Sequence, residues 1–385
     1  MSNSLTRIFL TYRINQYSKK MAGVWLKLLG QLEGFEEVGA EVYALYMSYG
    51  RQVLSRFQFG ELTPLKTWEP ISADMEKQQF WSNAVEAAYI VEPDVLYIRY
   101  DKMYDRPHLA DFAQTQSVQK PKICVEFATF PYHQEMSNQD WVEADNKNRQ
   151  LLLKHVDLVF STCRLDKIDR LANHYFCNQL SSQYLQTACM ASDALVSNNT
   201  INMISVANIS FWHGFDRVLI GLADFIKDES PYQVKYYIVG TGDELDNLSA
   251  LVVELGLEQH VNFLGYKTHQ QLTDIYAAMS VGIAGLGLHR KGLSENSALK
   301  VREYLANGIP VVKSTYDDAL VNVPWSFDVA EDDSPINIQS LCDFVSALDV
   351  RPDCRVQIRN YARQQLTWNK HADMVMQKVM GFSND

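Results

Sequence analysis

The sequence predicts an α/β protein of two domains, each built on a doubly wound parallel sheet, and three observations carry this expectation. Short apolar runs of strand composition alternate, in both halves of the chain, with longer runs whose apolar residues recur every three or four positions. The first group is a strand, a helix and a strand joined by short turns, the opening unit of a doubly wound sheet. The chain has 385 residues, long for one hydrophobic core and suited to two domains of ordinary size.

In chain order, residues 7–12 are the first strand. Residues 21–24 make the turn into the first helix, whose stripe is Met21, Val24, Trp25, Leu28, Leu29, Leu32 and Phe35. Residues 41–46 form the second strand. Residues 50–73 follow neither period and read as a loop-rich excursion, after which Glu76–Val91 is helical and stops before Pro93. Strands follow at 94–100, 122–126 and 157–161. The polar, turn-rich run 191–200 is placed at the domain junction, giving a first domain over 1–195 and a second over 196–361. The second repeats the alternation: strand at 201–207, helix at 214–227, strands at 233–239 and 261–265. Gly240 and Gly242 lack the rest of a dinucleotide fingerprint and read as shaping a turn. A closing helix over 367–380 has Trp368, Ala372, Val375, Met376 and Val379 at helical spacing, a core stripe.

Composition excludes several classes. With 47% hydrophobic and 21% charged residues the chain is of soluble globular type, and no apolar run approaches the ~18 residues of a membrane span. No secretory apolar region is expected at the N-terminus. A net charge of −11 argues against nucleic acid as a partner. Cys124, Cys163, Cys177, Cys189, Cys342 and Cys354 show no Cys-x-x-Cys spacing and read as reduced structural thiols of a cytoplasmic protein. Arg7, Arg13, Lys19, Lys20 and Lys27 fall in the first 32 residues, with no acid among them. A membrane-facing patch that includes Trp25 is one reading. The other makes Trp25 part of the helix's core face, with lysines solvated behind it.

The chemistry concentrates at residues 293–312. Asn296 and Ser297 are capping residues, 298–306 is a helix-forming run, Gly308 suits a left-handed C-terminal position, and Pro310 forbids continuation. Glu295 and Glu303 lie eight positions apart, up to ~12 Å along a helix. That exceeds the ~5 Å of two carboxylates acting on one glycosidic bond and suits the two ends of one long ligand. Between them lie free N–H groups of a first helical turn, a natural phosphate site. Lys300 and Glu303 read equally as a surface i, i+3 pair.

Glu295-x7-Glu303 followed by Tyr304, Leu305, Ala306, Gly308, Pro310, Val311 and Val312 resembles the signature of family 4 glycosyltransferases, which have the GT-B fold of two Rossmann-like domains facing a cleft. The resemblance implies donor sugar at Glu295, ribose at Glu303 and diphosphate on the amides of Asn296, Ser297, Ala298 and Leu299, with Lys300 adding charge. It extends to Gly23, Val24, Gln31, Gly39, Glu41 and Val42, so Gly23 is placed at the cleft. Gly265 and Tyr266 resemble the base-binding loop, and the closing helix, about 362–385, returns to the first domain. The chain departs from the family where an Arg and a Lys clamp the diphosphate, since those positions hold Asn208 and His213. Residues 211–217 resemble a Trp-His-Gly-x-Asp-Arg variant of bacterial capsular and exopolysaccharide enzymes, which leaves His213, Arg217, Arg290, Lys291 and Lys300 to divide the phosphate work.

On the first domain, Phe127 to Glu135 follows a strand end, where open α/β sheets bind ligands, and similar segments occur in polysaccharide-building relatives. Thr129, Tyr132, His133 and Glu135 are the acceptor-side candidates; His133 reads equally as an idle surface residue. No Asp-x-Asp and no metal-ligand spacing occurs, so no metal and no cofactor are expected beside a UDP- or GDP-type sugar donor. The resemblance implies transfer to a saccharide or lipid-linked acceptor with retention, in the cytoplasm or at the inner membrane face. The alternative is a catalytically silent subunit that supports a partner glycosyltransferase, which the missing clamp favours and the two glutamates oppose. A sugar-nucleotide epimerase would need an acid/base set that the first domain lacks.

Overall fold

The structure is a computed structural model that describes residues 5–70, 72, 75–117, 121–136, 138–182, 184 and 194–381. Two compact units divide the chain: residues 1–177 with 367–385, and residues 178–366. The crossing lies at 177/178, and the run 191–200 falls within the second unit, with 191–193 outside the described residues. Cys189 also lies outside them; Cys124, Cys163, Cys342 and Cys354 are buried thiols and Cys177 is half-buried.

In the first unit, side chains alternate along β1 (Arg7–Asn15) between two cores, Phe9 to one and Ile8, Leu10, Tyr12 and Ile14 to the other. Then come α1 (Ala22–Glu37), β2 (Glu41–Ser48), β3 (Arg51–Gln58), β4 (Glu61–Trp68), α2 (Glu76–Val91), β5 (Val95–Arg99), α3 (His108–Ser117), β6 (Lys122–Phe127), α4 (Gln139–Leu152), β7 (Leu158–Ser161), β8 (Lys167–Ile168) and β9 (Leu171–Tyr175). The sheet order is β4-β3-β2-β1-β5-β6-β7-β9-β8. Its centre is parallel, and β3, β4 and β8 pair antiparallel. α2, α3 and α4 cover one face; α1 and the C-terminal helix Trp368–Met380 cover the other.

The excursion expected over residues 50–73 is instead the hairpin β3–β4. Its period is hidden because the middle of β3 is buried on both faces, whereas β4 is a largely exposed edge that contains Pro64. Its two-residue turns, Tyr49-Gly50 and Phe59-Gly60, have positive φ at both positions. They follow the hairpin geometry with aromatics where Asn or Asp is usual. The basic run is largely neutralised inside this unit: Arg7 pairs with Glu41 at 3.3 Å, Arg13 with Asp101 at 2.7 Å and Glu76 at 2.8 Å, and buried Lys27 with Glu126 at 2.7 Å.

In the second unit, β10 (Thr200–Asn208), α5 (Phe215–Phe225), β11 (Gln233–Thr241), α6 (Leu245–Glu254), β12 (Val261–Gly265), α7 (His269–Tyr276), β13 (Val281–Ile283), α8 (Leu299–Ala306), β14 (Val311–Lys313), β15 (Ser326–Asp328), α9 (Ile338–Asp349) and α10 (Cys354–Gln365) build a parallel sheet of order β12-β11-β10-β13-β14-β15. Gly240 has φ +124°, and a Cβ there would lie 1.8 Å from the Ala207 carbonyl oxygen. The Gly240/Gly242 pair therefore serves close approach of β11 to β10.

Candidate active site

α8 is the helix that the sequence places at the centre of the chemistry. It starts at Leu299, one position later than expected, because Ser297 does not cap it: the Ser297 hydroxyl accepts the Asn178 N–H at 2.6 Å, and Ala298 becomes the extended N-cap without a side-chain cap. The first-turn N–H groups thus face no capping side chain, the arrangement that favours an anion. The helix ends as read, with Gly308 left-handed at φ +70° ahead of Pro310 and β14. The loop before it is held by two backbone bonds, Asn296 N–H to the Tyr316 carbonyl at 2.8 Å and Tyr316 N–H to the Ser294 carbonyl at 2.9 Å. They fix half-buried Glu295 one turn ahead of the helix.

Glu303 is buried rather than a surface partner of Lys300. Its carboxylate accepts the Tyr184 hydroxyl at 2.6 Å and the Tyr276 hydroxyl at 3.1 Å, and burial raises its pKa against those bonds. Lys300 has its Nζ sealed from solvent without a hydrogen-bond partner, 5.4 Å above the Phe215 ring. Burial pushes its ammonium down to about 7, with Glu303 pulling the other way. A buried cation at a helix start, without an anion bonded to it, fits a phosphate better than it fits packing.

The other cations expected to share the phosphate are placed differently. Arg217 is 1% exposed, and donates to the backbone carbonyls of Ser334 at 2.8 Å, Ala330 at 3.0 Å and Leu286. It staples the loops around α5, and its guanidinium is committed there. Arg290 forms a bidentate pair with Asp216, at 3.0 and 2.7 Å, and also reaches Asp333 at 2.8 Å, so its charge is neutralised locally. Lys291 lies 4.7 Å over the Trp212 ring. His213 stacks on Phe215, and burial, then Lys300, hold its pKa well below the ordinary value, so the ring is neutral. Its Nδ1 lies 3.1 Å from the Ser210 N–H and 3.2 Å from the Ser210 carbonyl oxygen, so this ring nitrogen is engaged with the Ser210 backbone. His213 therefore brings no charge to the phosphate. Asn208 ends β10, and Gly265, with φ +64°, ends β12 ahead of half-buried Tyr266.

In the first unit, Gly23 lies inside the first turn of α1 and not in the preceding loop. Tyr132 is 3% exposed, with its hydroxyl donating to Asp145 at 2.6 Å and accepting from Arg149 at 2.7 Å. This buried network, which Tyr100 joins at 2.8 Å, makes Tyr132 a core residue rather than an acceptor contact. Thr129 and His133 are half-buried, with the His133 Nε2 3.2 Å from the Asn146 amide oxygen, and exposed Glu135 accepts from Lys102 at 3.1 Å.

Sequence reasoning missed Tyr184 and Tyr276, which hold Glu303, and Arg302, which donates to the Asn178 carbonyl at 2.8 Å and pairs with Asp317. Among the described residues, no group of three His, Cys, Asp or Glu side chains could hold a metal ion, and no helix is long and apolar enough to cross a membrane.

Two parallel-sheet α/β domains of this construction are the GT-B glycosyltransferase fold. Residues 192–320, about a third of the chain, match the family Glycosyl transferases group 1. No curated protein matches the chain. Among solved structures, HepE from Anabaena in complex with UDP is similar at 14% identity, with 98% of this chain and 100% of that one covered and a TM-score of 0.62. Sucrose-phosphate synthase from Thermosynechococcus elongatus is similar at 13% identity, 98% and 100% coverage and 0.64. The catalytic domain of starch synthase IV from Arabidopsis thaliana, bound to ADP and acarbose, is similar at 10% identity, 98% and 99% coverage and 0.67.

Proposed function

We propose that the protein is a retaining, metal-independent glycosyltransferase. It would move a sugar from a nucleoside-diphosphate sugar to a saccharide or lipid-linked acceptor, in surface-polysaccharide or glycoconjugate synthesis at the cytoplasmic side of a membrane. One observation carries this reading: the uncapped first turn of α8 lies between Glu295 and Glu303, with the sealed Nζ of Lys300 beside it. The diphosphate takes the amides and Lys300, which stabilise the negative charge that develops as the nucleotide leaves. Glu303 takes the ribose hydroxyls in exchange for the Tyr184 hydroxyl, and Glu295 lies at the sugar. The neutral His213 hydrogen-bonds the donor without adding charge. Retention follows from attack on the same face of the sugar, with the departing phosphate as base. UDP and UDP-glucose in the HepE structures support a uridine donor. A catalytically silent subunit is the second reading, favoured by Asn208 and neutral His213 at the clamp positions.

The test is a comparison of binding with turnover. Glu303→Ala weakens UDP binding at least tenfold, ~1.4 kcal/mol. Glu295→Gln binds UDP almost normally, yet its transfer from UDP-glucose collapses, because its contact is made mainly at the sugar. Transfer persists in excess EDTA. Equal turnover by Glu295→Gln and wild type overturns the assignment, and no turnover by wild type across a donor panel favours the silent subunit.

A further inference from the structure

The first unit carries a concavity of about 380 Å³ where β1, β2, β3 and β4 meet, lined in part by Gln16, Tyr46, Ser48, Tyr49, Arg51 and Thr67. Its rim offers uncharged donors and acceptors: the Gln16 amide, which donates to the Ser48 hydroxyl at 2.6 Å, and the Thr67 hydroxyl. The charged residue of the lining, Arg51, is paired with Glu69 at 3.1 Å. Buried Tyr46 supplies an aromatic wall, itself packed on Trp25 with centroids 5.0 Å apart. At the mouth, Tyr17 and Tyr49 stack with centroids 3.9 Å apart while remaining 53% and 75% exposed. Tyr49 occupies the first position of the β2–β3 turn at φ +49°. A left-handed backbone there costs a bulky residue about 1–2 kcal/mol, and Asn avoids most of that. A strained residue that displays an exposed ring beside a polar hollow is better accounted for by a ligand than by packing.

We propose that this hollow is a saccharide subsite that holds a neutral sugar of the acceptor, with its C–H face on Tyr49 and its hydroxyls on Gln16, Ser48 and Thr67. Flat aromatic faces beside a few fixed polar groups match the amphipathic surface of a pyranose. This deepens the proposed transferase function and rests on it for the word acceptor; sugar binding itself does not depend on the donor site.

The experiment uses the full chain and three soluble probes, maltotriose, cellotriose and triacetylchitotriose, followed by saturation-transfer NMR and titration, with UDP affinity measured in the same samples. At least one trisaccharide binds wild type, and Tyr49→Asn weakens it at least tenfold while the midpoint of thermal unfolding stays or rises and UDP affinity is unchanged. Gln16→Leu, which leaves the turn intact, gives the same loss. Phe59→Asn, in the matching turn at the other end of β3, binds as wild type. Binding of none of the three, undiminished binding by Tyr49→Asn and Gln16→Leu, or equal loss in Phe59→Asn overturns the subsite. Saccharide binding without UDP binding overturns the transferase reading and leaves the subsite standing.

Discussion

At Lys300 the physics of burial and of ligand binding pull in opposite directions. An ammonium held at about 7 is half-neutral under physiological conditions, whereas an unfolded lysine stays charged to about 10.4. The unfolded chain therefore binds the extra proton between these values, and the unliganded protein gains stability as pH rises through that window. Donor affinity moves the other way. UDP-glucose, whose diphosphate does not titrate there, binds more weakly at pH 8.5 than at pH 6, and Lys300→Met removes most of the slope; calorimetry at the two pH values measures it. A slope unchanged in Lys300→Met excludes Lys300 as the phosphate cation. In sequence, spacing alone singled out Glu295 and Glu303 but read Lys300 and Glu303 equally as a surface pair, and only the family resemblance placed Lys300 beside a phosphate. The fates of Arg217 and Arg290 were not, because their partners are the backbone carbonyls of Ser334 and Ala330 and the side chain of Asp216. Those contacts depend on which loops the fold brings together.

Among elements, the turn from β10 into α5 packs directly on the segment after β13. Gly214 opens α5 with φ +64°, and a Cβ there would lie 2.7 Å from the Gly287 nitrogen and 2.8 Å from the Leu286 carbonyl carbon. The His213 carbonyl accepts the Leu286 N–H at 2.8 Å across the same approach. Gly214→Ala therefore meets both a strained backbone and backbone atoms that cannot turn aside. It loses roughly 2 kcal/mol or more, read from the urea midpoint, and weakens UDP binding with it. Wild-type stability in this variant would show that the loop shifts freely. Elements of strong period, α1, α2, β10 and α8, were legible to within a few residues. The hairpin β3–β4 was not, since the burial of β3 and the exposure of β4 come from sheet neighbours that local sequence cannot reveal.

For the whole molecule, the two-domain architecture was legible because alternation and length survive without any contact information. What sequence hid is the polar centre of the first unit. There Glu126 accepts from Tyr97 at 2.8 Å and Gln31 at 2.6 Å and pairs with Lys27, while Tyr97 also reaches His371 of the C-terminal helix at 3.0 Å. The partners respond unequally: burial pushes Lys27 down to about 8, whereas Glu126 is held at about 2, since Lys27 and Arg99 outweigh its own burial. Both remain charged at pH 7. A depressed carboxylate contributes stability above its unfolded value near 4.5, and that contribution is lost as pH falls toward 2. Glu126→Gln flattens this acid loss in circular-dichroism titrations. Lys27→Met costs about 3 kcal/mol by leaving a buried charge, and the double variant recovers part of it; a loss in the double variant equal to the sum of the two single losses would dismiss the coupling. At its outer rim the same sheet ends on β4, where Pro64 removes a donor and Leu65 is skipped in the pairing with β3. An interrupted rim is a poor template for another chain's strand. The protein thus carries its own guard against fibrous self-assembly, and Pro64→Val should let concentrated solutions cloud sooner on storage.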